Sequence, residues 1–266
     1  MLAGERQQKI MEILKRDGIV YTKDLIQTFS TSRETIRRDL HDLEEQGFLR
    51  KVYGGATLGG ERQNILAPYE MRVQDNLEDK QEIADAVCKV IREEMAIAMD
   101  SSTTNLVICR ALNRQFHSLH IITNSIPISK EFRENDGNQL VLLGGNFDKT
   151  ERCTIGQSTL DQLKNYHVDL YLMSCCGVTL ETGITDIGEA ELQVKRGMME
   201  VSDKIILVCS HSRFAKATLL KVCDAGAVDC IITDNGVTDE VIAHYAHGNV
   251  KILRSCDIKG QVSILP

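Results

Sequence analysis

The sequence predicts an α/β protein with a small, mostly helical N-terminal domain and a larger domain built around a mostly parallel sheet. In the first 45 residues, apolar residues recur at the spacing of amphipathic helices. From Asp79 onward, helical segments alternate with short strand-like runs. Several of these runs, such as residues 205–209, are continuously apolar, which is typical of parallel strands covered on both faces. We therefore divide the chain into a domain at 1–57, a linker at 58–78 and a domain at 79–266.

One short segment, residues 31–40, has the chemistry of a DNA-reading helix. At 3.6 residues per turn, Ile36 and Leu40 share one face with Leu43. Thr31 or Ser32 can cap the helix, and its polar face carries arginines and hydroxyl groups suited to base edges and phosphates. A solvated helix face has a similar composition, so the segment alone leaves both interpretations open. The candidate DNA contacts are Thr31, Ser32, Arg33, Glu34, Thr35, Arg37 and Arg38.

The flanking residues favour the DNA interpretation. They predict a helix at 5–16, an extended piece at 19–21, a helix at 23–29 capped by Thr22, and a β-wing at 48–55. Helix, short turn and helix is the arrangement whose second helix enters the major groove, so residues 1–57 predict a winged helix-turn-helix domain. Arg50 and Lys51 on the wing are candidate phosphate contacts.

Three segments of this region match a known family in residues and spacing. They are Thr-Ile-Arg-Arg-Asp-Leu at 35–40, Leu-Glu-Glu-Gln-Gly at 43–47 and Tyr-Gly-Gly-Ala at 53–56. The region 5–57 closely resembles the DNA-binding region of the DeoR family of bacterial transcriptional regulators. The resemblance implies a sequence-specific repressor, usually of a sugar-utilisation operon, with operator DNA as its partner. It also implies a C-terminal effector domain.

The distribution of charge limits how the protein contacts nucleic acid. The formal net charge is -7. Residues 1–57 contain 10 basic and 9 acidic residues, giving +1, whereas the remaining 21 basic and 29 acidic residues give -8. An acidic protein is not drawn to nucleic acid as a whole. We therefore expect DNA binding from a local patch on the helix and wing, with the acidic body disfavouring non-specific contacts.

Cysteine usage and hydropathy favour a cytoplasmic protein. We expect no signal peptide after Met1 and no membrane span, because no apolar run approaches about 18 residues. The nine cysteines include no C-x-x-C pair, and most lie in apolar runs typical of buried, reduced thiols. The adjacent Cys175 and Cys176 leave a redox or thiol-reactive site as an alternative. The histidines show no ligand spacing, so we expect neither a metal nor another cofactor.

Polar or glycine-rich loops follow successive predicted strands of the second domain. Residues 100–105, Asp-Ser-Ser-Thr-Thr-Asn, lead from a strand into a helix, and backbone N–H groups at a helix N-terminus bind anions. An ordinary capped turn uses the same residue types. Similar loops follow later strands at residues 123–125, 144–146, 176–177, 183–185 and 210–214. Since ligands bind beyond the carboxyl ends of parallel strands, converging loops favour the anion site.

The order of these loops is similar to that of the DeoR-family sensor domain, over residues 79–255. That domain is related in fold to ribose-5-phosphate isomerase, and the resemblance implies a phosphorylated sugar as the effector. On the basis of this resemblance, we assign to the effector site Asp100, Ser101, Ser102, Thr103, Thr104, Asn124, Gly144, Gly145, Glu189, Lys195 and Arg213. Ser102 replaces the family's usual Gly, and it is strained if that position requires a positive φ. Ser210 and Arg213 replace the usual Asp and Lys, which leaves open whether the effector class differs.

Two functions remain open at this point: a ligand-gated repressor, or a sugar-phosphate isomerase with an appended DNA-binding domain. Isomerisation needs a general base, and Glu189, Glu191 and Lys195 supply carboxylates and an ammonium, yet no arrangement in the sequence demands catalysis. We expect a repressor without enzymatic activity that a phosphorylated sugar releases from its operator. We also expect a homo-oligomer, dimer or tetramer, whose paired domains bind half-sites about one helical turn, or a multiple of it, apart.

Overall fold

The structure is a computed structural model that describes residues 2–17, 19–46, 48–52, 54–58, 69–132 and 137–259. Contacts within the chain define two compact units, Met1–Asp75 and Asn76–Pro266. Residues 59–68, which form most of the predicted linker, lie outside the described residues. The remainder of that segment contains a short helix, Tyr69–Gln74, and the start of the first helix of the C-terminal unit.

The N-terminal unit contains the predicted helix-turn-helix and wing. Its elements are α1 (Ala3–Asp17), β1 (Ile19–Tyr21), α2 (Thr22–Phe29), α3 (Arg33–Glu45), β2 (Leu49–Val52), β3 (Gly55–Leu58) and α4 (Tyr69–Gln74). The three strands form an antiparallel sheet in the order β1-β3-β2. Helix α2 ends at Ser30, whose left-handed conformation (φ 47°) turns the chain toward α3. The predicted wing is confirmed as the β2–β3 hairpin.

A small apolar core holds helices α1, α2 and α3 and the sheet of this unit together. Its fully buried side chains include Ile10 and Leu14 from α1, Leu25 from α2, Ile36, Leu40 and Leu43 from α3, and Leu49 from β2. Each such side chain contributes roughly 1.5–3 kcal/mol on burial. Strand β3 approaches β1 so closely that a Cβ at Gly55 would lie 2.0 Å from the Val20 carbonyl oxygen. The second glycine of the wing is therefore required by a close backbone contact.

The predicted capping of α2 by Thr22 is wrong. Thr22 is the first helical residue, and Tyr21 occupies the cap position without a side-chain hydrogen bond. The Thr22 N–H instead donates to the Gly54 carbonyl oxygen at 2.9 Å. The wing, rather than a hydroxyl group, thus satisfies one of the N–H groups that a helix start leaves without an intrahelical partner.

The C-terminal unit is built on a seven-stranded parallel sheet. In chain order, the strands of this unit, including those outside the main sheet, are β4 (Ala96–Met99), β5 (His120–Thr123), β6 (Gln139–Leu142), β7 (Asn146–Asp148), β8 (Cys153–Ile155), β9 (Val168–Met173), β10 (Gly177–Thr179), β11 (Gly183–Asp186), β12 (Ser202–Val208), β13 (Leu220–Cys223), β14 (Cys230–Thr233) and β15 (Ile252–Arg254). The main sheet has the order β15-β14-β12-β9-β4-β5-β6, with every neighbouring pair parallel. This sheet confirms the predicted α/β class.

In the described part of this unit, six α-helices accompany these strands. Two small antiparallel sheets were not predicted. The helices are α5 (Leu77–Cys88), α6 (Thr103–Gln115), α7 (Ile126–Glu131), α8 (Gln157–Leu163), α9 (Glu189–Glu200) and α10 (Asp239–His247). Strands β7 and β8 form a hairpin, and β10, β11 and β13 form a second sheet. These strands have three or four residues and lack long apolar runs. Helix α5 ends at Cys88, and Val90 and Ile91 are buried just after it.

The order of the main sheet reverses between β4 and β9. From β4 the chain proceeds outward through β5 and β6, and from β9 it proceeds outward in the opposite direction through β12, β14 and β15. Asp100 follows the last residue of β4, and Ser174 follows the last residue of β9. Such a reversal point creates a crevice at the carboxyl ends of the strands, where ligands bind in open parallel sheets.

Candidate functional site

Helix α3 presents the predicted DNA contacts on the surface of the N-terminal unit. Ser32, Arg33, Glu34, Arg37 and Arg38 are exposed, while Thr31 and Thr35 are partly buried. Ser32 is the cap, because its Oγ accepts the Thr35 N–H at 3.1 Å. The hydroxyl groups of Ser32 and Thr35 also share a hydrogen bond of 2.8 Å. These two hydroxyl groups therefore fix the start of the helix.

Two of the three arginines on α3 have no ion pair within the described residues. Arg37 lies 3.6 Å from Glu34, an exposed pair of little energetic weight. Arg33 and Arg38 make no side-chain contact of this kind with any residue in the described ranges. Both line a cleft between α3 and the wing. Guanidinium groups in this state are available for bidentate contacts to guanine edges or phosphates.

Lys51, the predicted phosphate contact on the wing, is already bound to α3. Its backbone N–H donates to Glu44 Oε1 at 2.8 Å, and its ammonium lies 2.8 Å from Glu44 Oε2. The side-chain hydrogen bond from Lys51 lowers the pKa of the Glu44 carboxyl group. A phosphate contact by Lys51 would therefore compete with an ion pair that ties the wing to the helix. Arg50 lies in β2 opposite Thr57, and its side chain is outside the described part of the chain.

A buried ion pair that the sequence analysis missed connects α3 to α1. Arg6 Nη2 donates to Asp39 Oδ1 at 3.0 Å, and Arg6 Nε donates to Asp39 Oδ2. The Asp39 side chain is only 3% exposed. Its position next to Leu40 on the apolar stripe was the available signal, because a carboxylate there needs a partner.

Asp100, Tyr171, Ser174 and Lys195 form a buried cluster, the switch-point cluster, where the sheet order reverses. Lys195 Nζ donates to Asp100 Oδ2 at 2.6 Å and to the Ser174 carbonyl oxygen at 3.0 Å. The Tyr171 hydroxyl and the Ser174 N–H donate to the same Asp100 oxygen, at 3.0 and 2.8 Å. All four residues are buried. The cluster therefore joins the carboxyl ends of β4 and β9 to helix α9.

Both charged members of this cluster remain ionised. Burial alone would raise the pKa of Asp100, but the charge and hydrogen bonds of Lys195 outweigh it, and the net pKa is lowered. Burial alone would lower the pKa of Lys195, but Asp100 and then Asp186 outweigh it, and the net pKa is raised. Two of the predicted effector residues are thus placed against each other. A ligand that reached either group would have to replace internal hydrogen bonds.

The anion loop, residues 100–104, leads from β4 into the 13-residue helix α6. Ser102 caps α6, since its Oγ accepts the Asn105 N–H at 3.0 Å. The strain considered for Ser102 is absent, because its φ is -72°. The N–H groups of Thr103 and Thr104 lie in the first turn of α6. Backbone N–H groups in the first turn of a helix have no intrahelical acceptor, and this end of the helix carries positive partial charge.

The next two loops bring Asn124 and a glycine pair to the same end of the sheet. Asn124 Nδ2 donates to the Thr154 carbonyl oxygen at 2.9 Å, and its buried Oδ1 has no partner among the described residues. The Gly144 carbonyl oxygen accepts from Thr159 Oγ1 at 2.8 Å. A Cβ at Gly145 would lie 2.2 Å from that same oxygen atom of Thr159. Helix α8 therefore packs directly against this glycine pair.

Helix α9 places Glu191, rather than the predicted Glu189, beside the anion loop. The Ser101 hydroxyl donates to Glu191 Oε1 at 2.7 Å, whereas Glu189 is exposed at the start of the helix. Burial, followed by the negative charge of Glu151, raises the pKa of Glu191 to about 7. Glu191 is thus a further group at this site, and its spacing of four residues from Lys195 on one helix was the signal that could have found it.

Arg213 lies in a single 3-10 turn, His211–Arg213, that follows β12. It is partly buried, and within the described residues its side chain has no ion pair. Its charge acts on the nearby Cys176 thiol, which donates to Asp186 Oδ1 at 3.2 Å. Burial nevertheless raises the pKa of Cys176 well above its ordinary value. Since thiolates are the reactive form, this environment disfavours the redox alternative.

Asp79, His211 and Asp234 bring three potential metal-ligand atoms within 4.8 Å of one another. The expectation of no metal rested on histidine spacing in sequence, which does not detect this cluster. His211 Nδ1 lies 2.8 Å from Asp234 Oδ1, and the His211 N–H donates to Asp234 Oδ2 at 2.7 Å. The Gly236 N–H also donates to Asp234 Oδ1, at 2.8 Å. The Asp234 carboxylate is therefore occupied by hydrogen bonds within the protein.

Comparisons with known proteins cover both units. A family model of the DeoR C terminal sensor domain matches residues 75–235, and one of the DeoR-like helix-turn-helix domain matches residues 6–61. The chain belongs to the DeoR family. Within the described residues, none of the helices has the length and apolar character needed to cross a membrane.

Several curated relatives of this DeoR-family protein are named as transcriptional repressors. The putative aga operon transcriptional repressor of Escherichia coli O157:H7 is 29% identical over 94% of this chain and 93% of the relative. The glycerol-3-phosphate regulon repressor of Escherichia coli K12 is 29% identical over 88% and 92%. The HTH-type transcriptional repressor GlcR of Bacillus subtilis is 31% identical over 88% and 89%.

Among solved structures, ribose 5-phosphate isomerase A of Methanocaldococcus jannaschii is 16% identical, with a TM-score of 0.39. The match covers 53% of this DeoR-family chain and 56% of the enzyme, so the chain spans about half the length of that enzyme. A superposition this loose carries no argument about function.

Proposed function

We propose that this chain is a repressor of a carbohydrate-utilisation operon that binds operator DNA through α3 and the wing. In this proposal, a phosphorylated sugar binds at the anion loop and releases the operator. The observation that carries the DNA-binding part is the pair of exposed arginines on α3, Arg33 and Arg38, which face a cleft without an ion-pair partner in the described residues. The names of the relatives, which regulate the aga operon and the glycerol-3-phosphate regulon, support a sugar-related target.

The effector part of the proposal is supported by the arrangement around the switch point. The anion loop supplies first-turn N–H groups of α6 and the hydroxyl group of Thr104. Arg213 supplies a partly buried guanidinium group after β12, at the same end of the sheet. Asn124 and the Gly144–Gly145 pair border the loop from the neighbouring strands. Asp100 and Lys195 act by holding these loops in place through the switch-point cluster.

We also infer that the pocket binds its ligand without turnover. The Lys195 ammonium group donates hydrogen bonds to Asp100 and Ser174, and its pKa is raised. It is therefore a poor proton donor or acceptor near neutral pH. Glu191 has a pKa suited to a general base, which makes the isomerase alternative worth testing. The full-length protein should show no conversion of ribose 5-phosphate or glucose 6-phosphate; a robust rate that Glu191→Gln abolishes would overturn this inference.

The DNA-binding part is tested with an operator selected from random duplex DNA by the full-length protein. Arg38→Ala should weaken binding to that operator by roughly 10- to 100-fold, which corresponds to the loss of one bidentate base contact. Arg16→Ala removes an exposed arginine from α1 and serves as the matched control. Equal affinity of the Arg38→Ala variant and the wild type in fluorescence anisotropy would contradict the placement of the DNA-reading helix.

The effector part is tested by thermal unfolding of the full-length protein with glycerol 3-phosphate, glucose 6-phosphate, ribose 5-phosphate, the unphosphorylated sugars and inorganic phosphate. A ligand that binds only the folded state raises Tm by mass action. Thr104→Ala should retain operator affinity and require a higher concentration of the active sugar phosphate for release. Release at the wild-type concentration would contradict the anion-loop assignment. We further propose a homo-oligomer, which analytical ultracentrifugation would measure directly.

A further inference from the structure

The partly buried carboxyl group of Glu191 lies directly against the anion loop. It accepts a hydrogen bond of 2.7 Å from Ser101, and Ser101 is only 4% exposed. Ser101 belongs to the same loop whose N–H groups and hydroxyls form the proposed phosphate site. A negatively charged ligand at the loop is therefore brought close to a carboxyl group that has little water to screen it.

The surroundings of Glu191 are predominantly acidic. In the described residues, the charged and titratable groups that face it are Glu151 in the β7–β8 turn, Cys153 in β8, Asp186 in β11 and Lys195 on its own helix. Lys195 is the single cation in this set, and its ammonium is held by Asp100 and Ser174. Within this set of described groups, Glu191 therefore has no unpaired cation beside it when a dianion binds.

We propose that effector binding is coupled to the uptake of one proton by Glu191, so that the phosphorylated effector binds to the protein with a neutral Glu191 carboxyl group. This inference rests on the proposed sugar-phosphate site. The proton comes from solvent and forms an O–H bond on the carboxylate, while Oε1 continues to accept from Ser101. The neutral carboxyl group also gains a donor for an oxygen atom of the effector.

The coupling fixes the direction of a pH dependence. In the free protein, burial and Glu151 raise the pKa of Glu191 to about 7, and a bound phosphate dianion raises it further. Between these two pKa values, free Glu191 is ionised and bound Glu191 is protonated. Affinity must therefore fall as pH rises above about 7, by up to about tenfold per pH unit for one proton.

Isothermal titration calorimetry on the full-length protein tests the coupling. The probes are glycerol 3-phosphate, glucose 6-phosphate and ribose 5-phosphate. Each is titrated at four pH values from 7.0 to 8.5, a range chosen to lie above the second pKa of a phosphate monoester, about 6. Buffers with different ionisation enthalpies count the protons taken up. We expect falling affinity and uptake approaching one proton for the probe that binds. Glu200→Gln, an exposed change on the same helix, should behave as the wild type.

Glu191→Gln should bind the same probe with an affinity that is flat over this pH range and with no proton uptake. Ser101→Ala removes the hydrogen bond that lowers the pKa of Glu191, so the fall in affinity should move to higher pH. Circular dichroism checks that both variants are folded. Equal pH slopes in the wild type and Glu191→Gln, or binding without proton uptake, would overturn the coupling alone. No binding of any probe to either protein would overturn the sugar-phosphate site and the coupling with it.

Discussion

At the scale of single residues, Glu191 makes the stability of the folded protein depend on pH. Its folded pKa of about 7 lies above the ordinary value of 4.5, so ionisation costs more in the folded state than in the unfolded chain. The contribution of Glu191 to the free energy of unfolding therefore decreases by at most about 3 kcal/mol as pH rises from 4.5 through 7, and it levels off above that.

Glu191→Gln should remove this loss. The variant should exceed the wild type in free energy of unfolding at pH 8, by at most about 3 kcal/mol, and the advantage should shrink toward pH 4.5. Urea unfolding at both pH values measures the difference, with Glu200→Gln as the control on the same helix. An advantage that is equal at both pH values would show that a different effect, such as helix propensity, is responsible.

The Asp100–Lys195 pair is the second feature at the residue scale. Lys195→Met should destabilise the protein by about 3–5 kcal/mol, because Asp100 is then left buried without its counter-charge. The double variant Asp100→Asn, Lys195→Met should recover part of that loss, since it removes both charges. Chemical unfolding of the two variants gives the comparison; a single variant that loses under about 1 kcal/mol would refute the importance of the pair.

At the scale of elements, the Arg6–Asp39 pair sets the position of α3 relative to α1. Asp39→Ala leaves a mostly buried guanidinium group without this carboxylate, and we expect a loss of about 2–4 kcal/mol in the stability of the N-terminal unit. Operator affinity should fall as well, although Asp39 faces away from the DNA-reading surface. Asp24→Ala, an exposed change on α2, is the control. Retention of both stability and operator affinity by Asp39→Ala would contradict this role.

At the scale of the whole molecule, two separate apolar cores imply two unfolding events. Within the described ranges, the cluster of buried apolar side chains in the N-terminal unit shares no residue with that in the C-terminal unit. Differential scanning calorimetry should therefore resolve two transitions, and a bound sugar phosphate should raise only the transition that Lys195→Met lowers. A single transition with equal calorimetric and van't Hoff enthalpies would show that the units unfold together.

The sequence predicted the periodic features of the fold well. The apolar stripe of α3 and the continuously apolar strands, such as β12, have a regular spacing that local physics enforces. The short antiparallel strands β7, β8 and β10 were missed, because three residues are too few to show a period. The choice between Glu189 and Glu191 depends on the rotation of α9 against the sheet, which tertiary packing sets. For the same reason, the sequence could not predict that Lys195 is buried against Asp100.

The reversal of strand order between β4 and β9 has a consequence for the kinetics of folding. These two central strands are far apart in the chain: the Ala96 N–H donates to Asp169, with a separation of 73 positions in sequence. Closing a loop of that length costs conformational entropy before the stabilising contacts between the strands have formed. Parallel pairing of strands so far apart in sequence is therefore slow. Until β9 arrives, one edge of β4 lies open to strands of other chains. The crevice that is suited to hold a ligand thus lies at the strand pairing with the longest loop to close in the main sheet, and β4 is exposed to aggregation until that pairing forms.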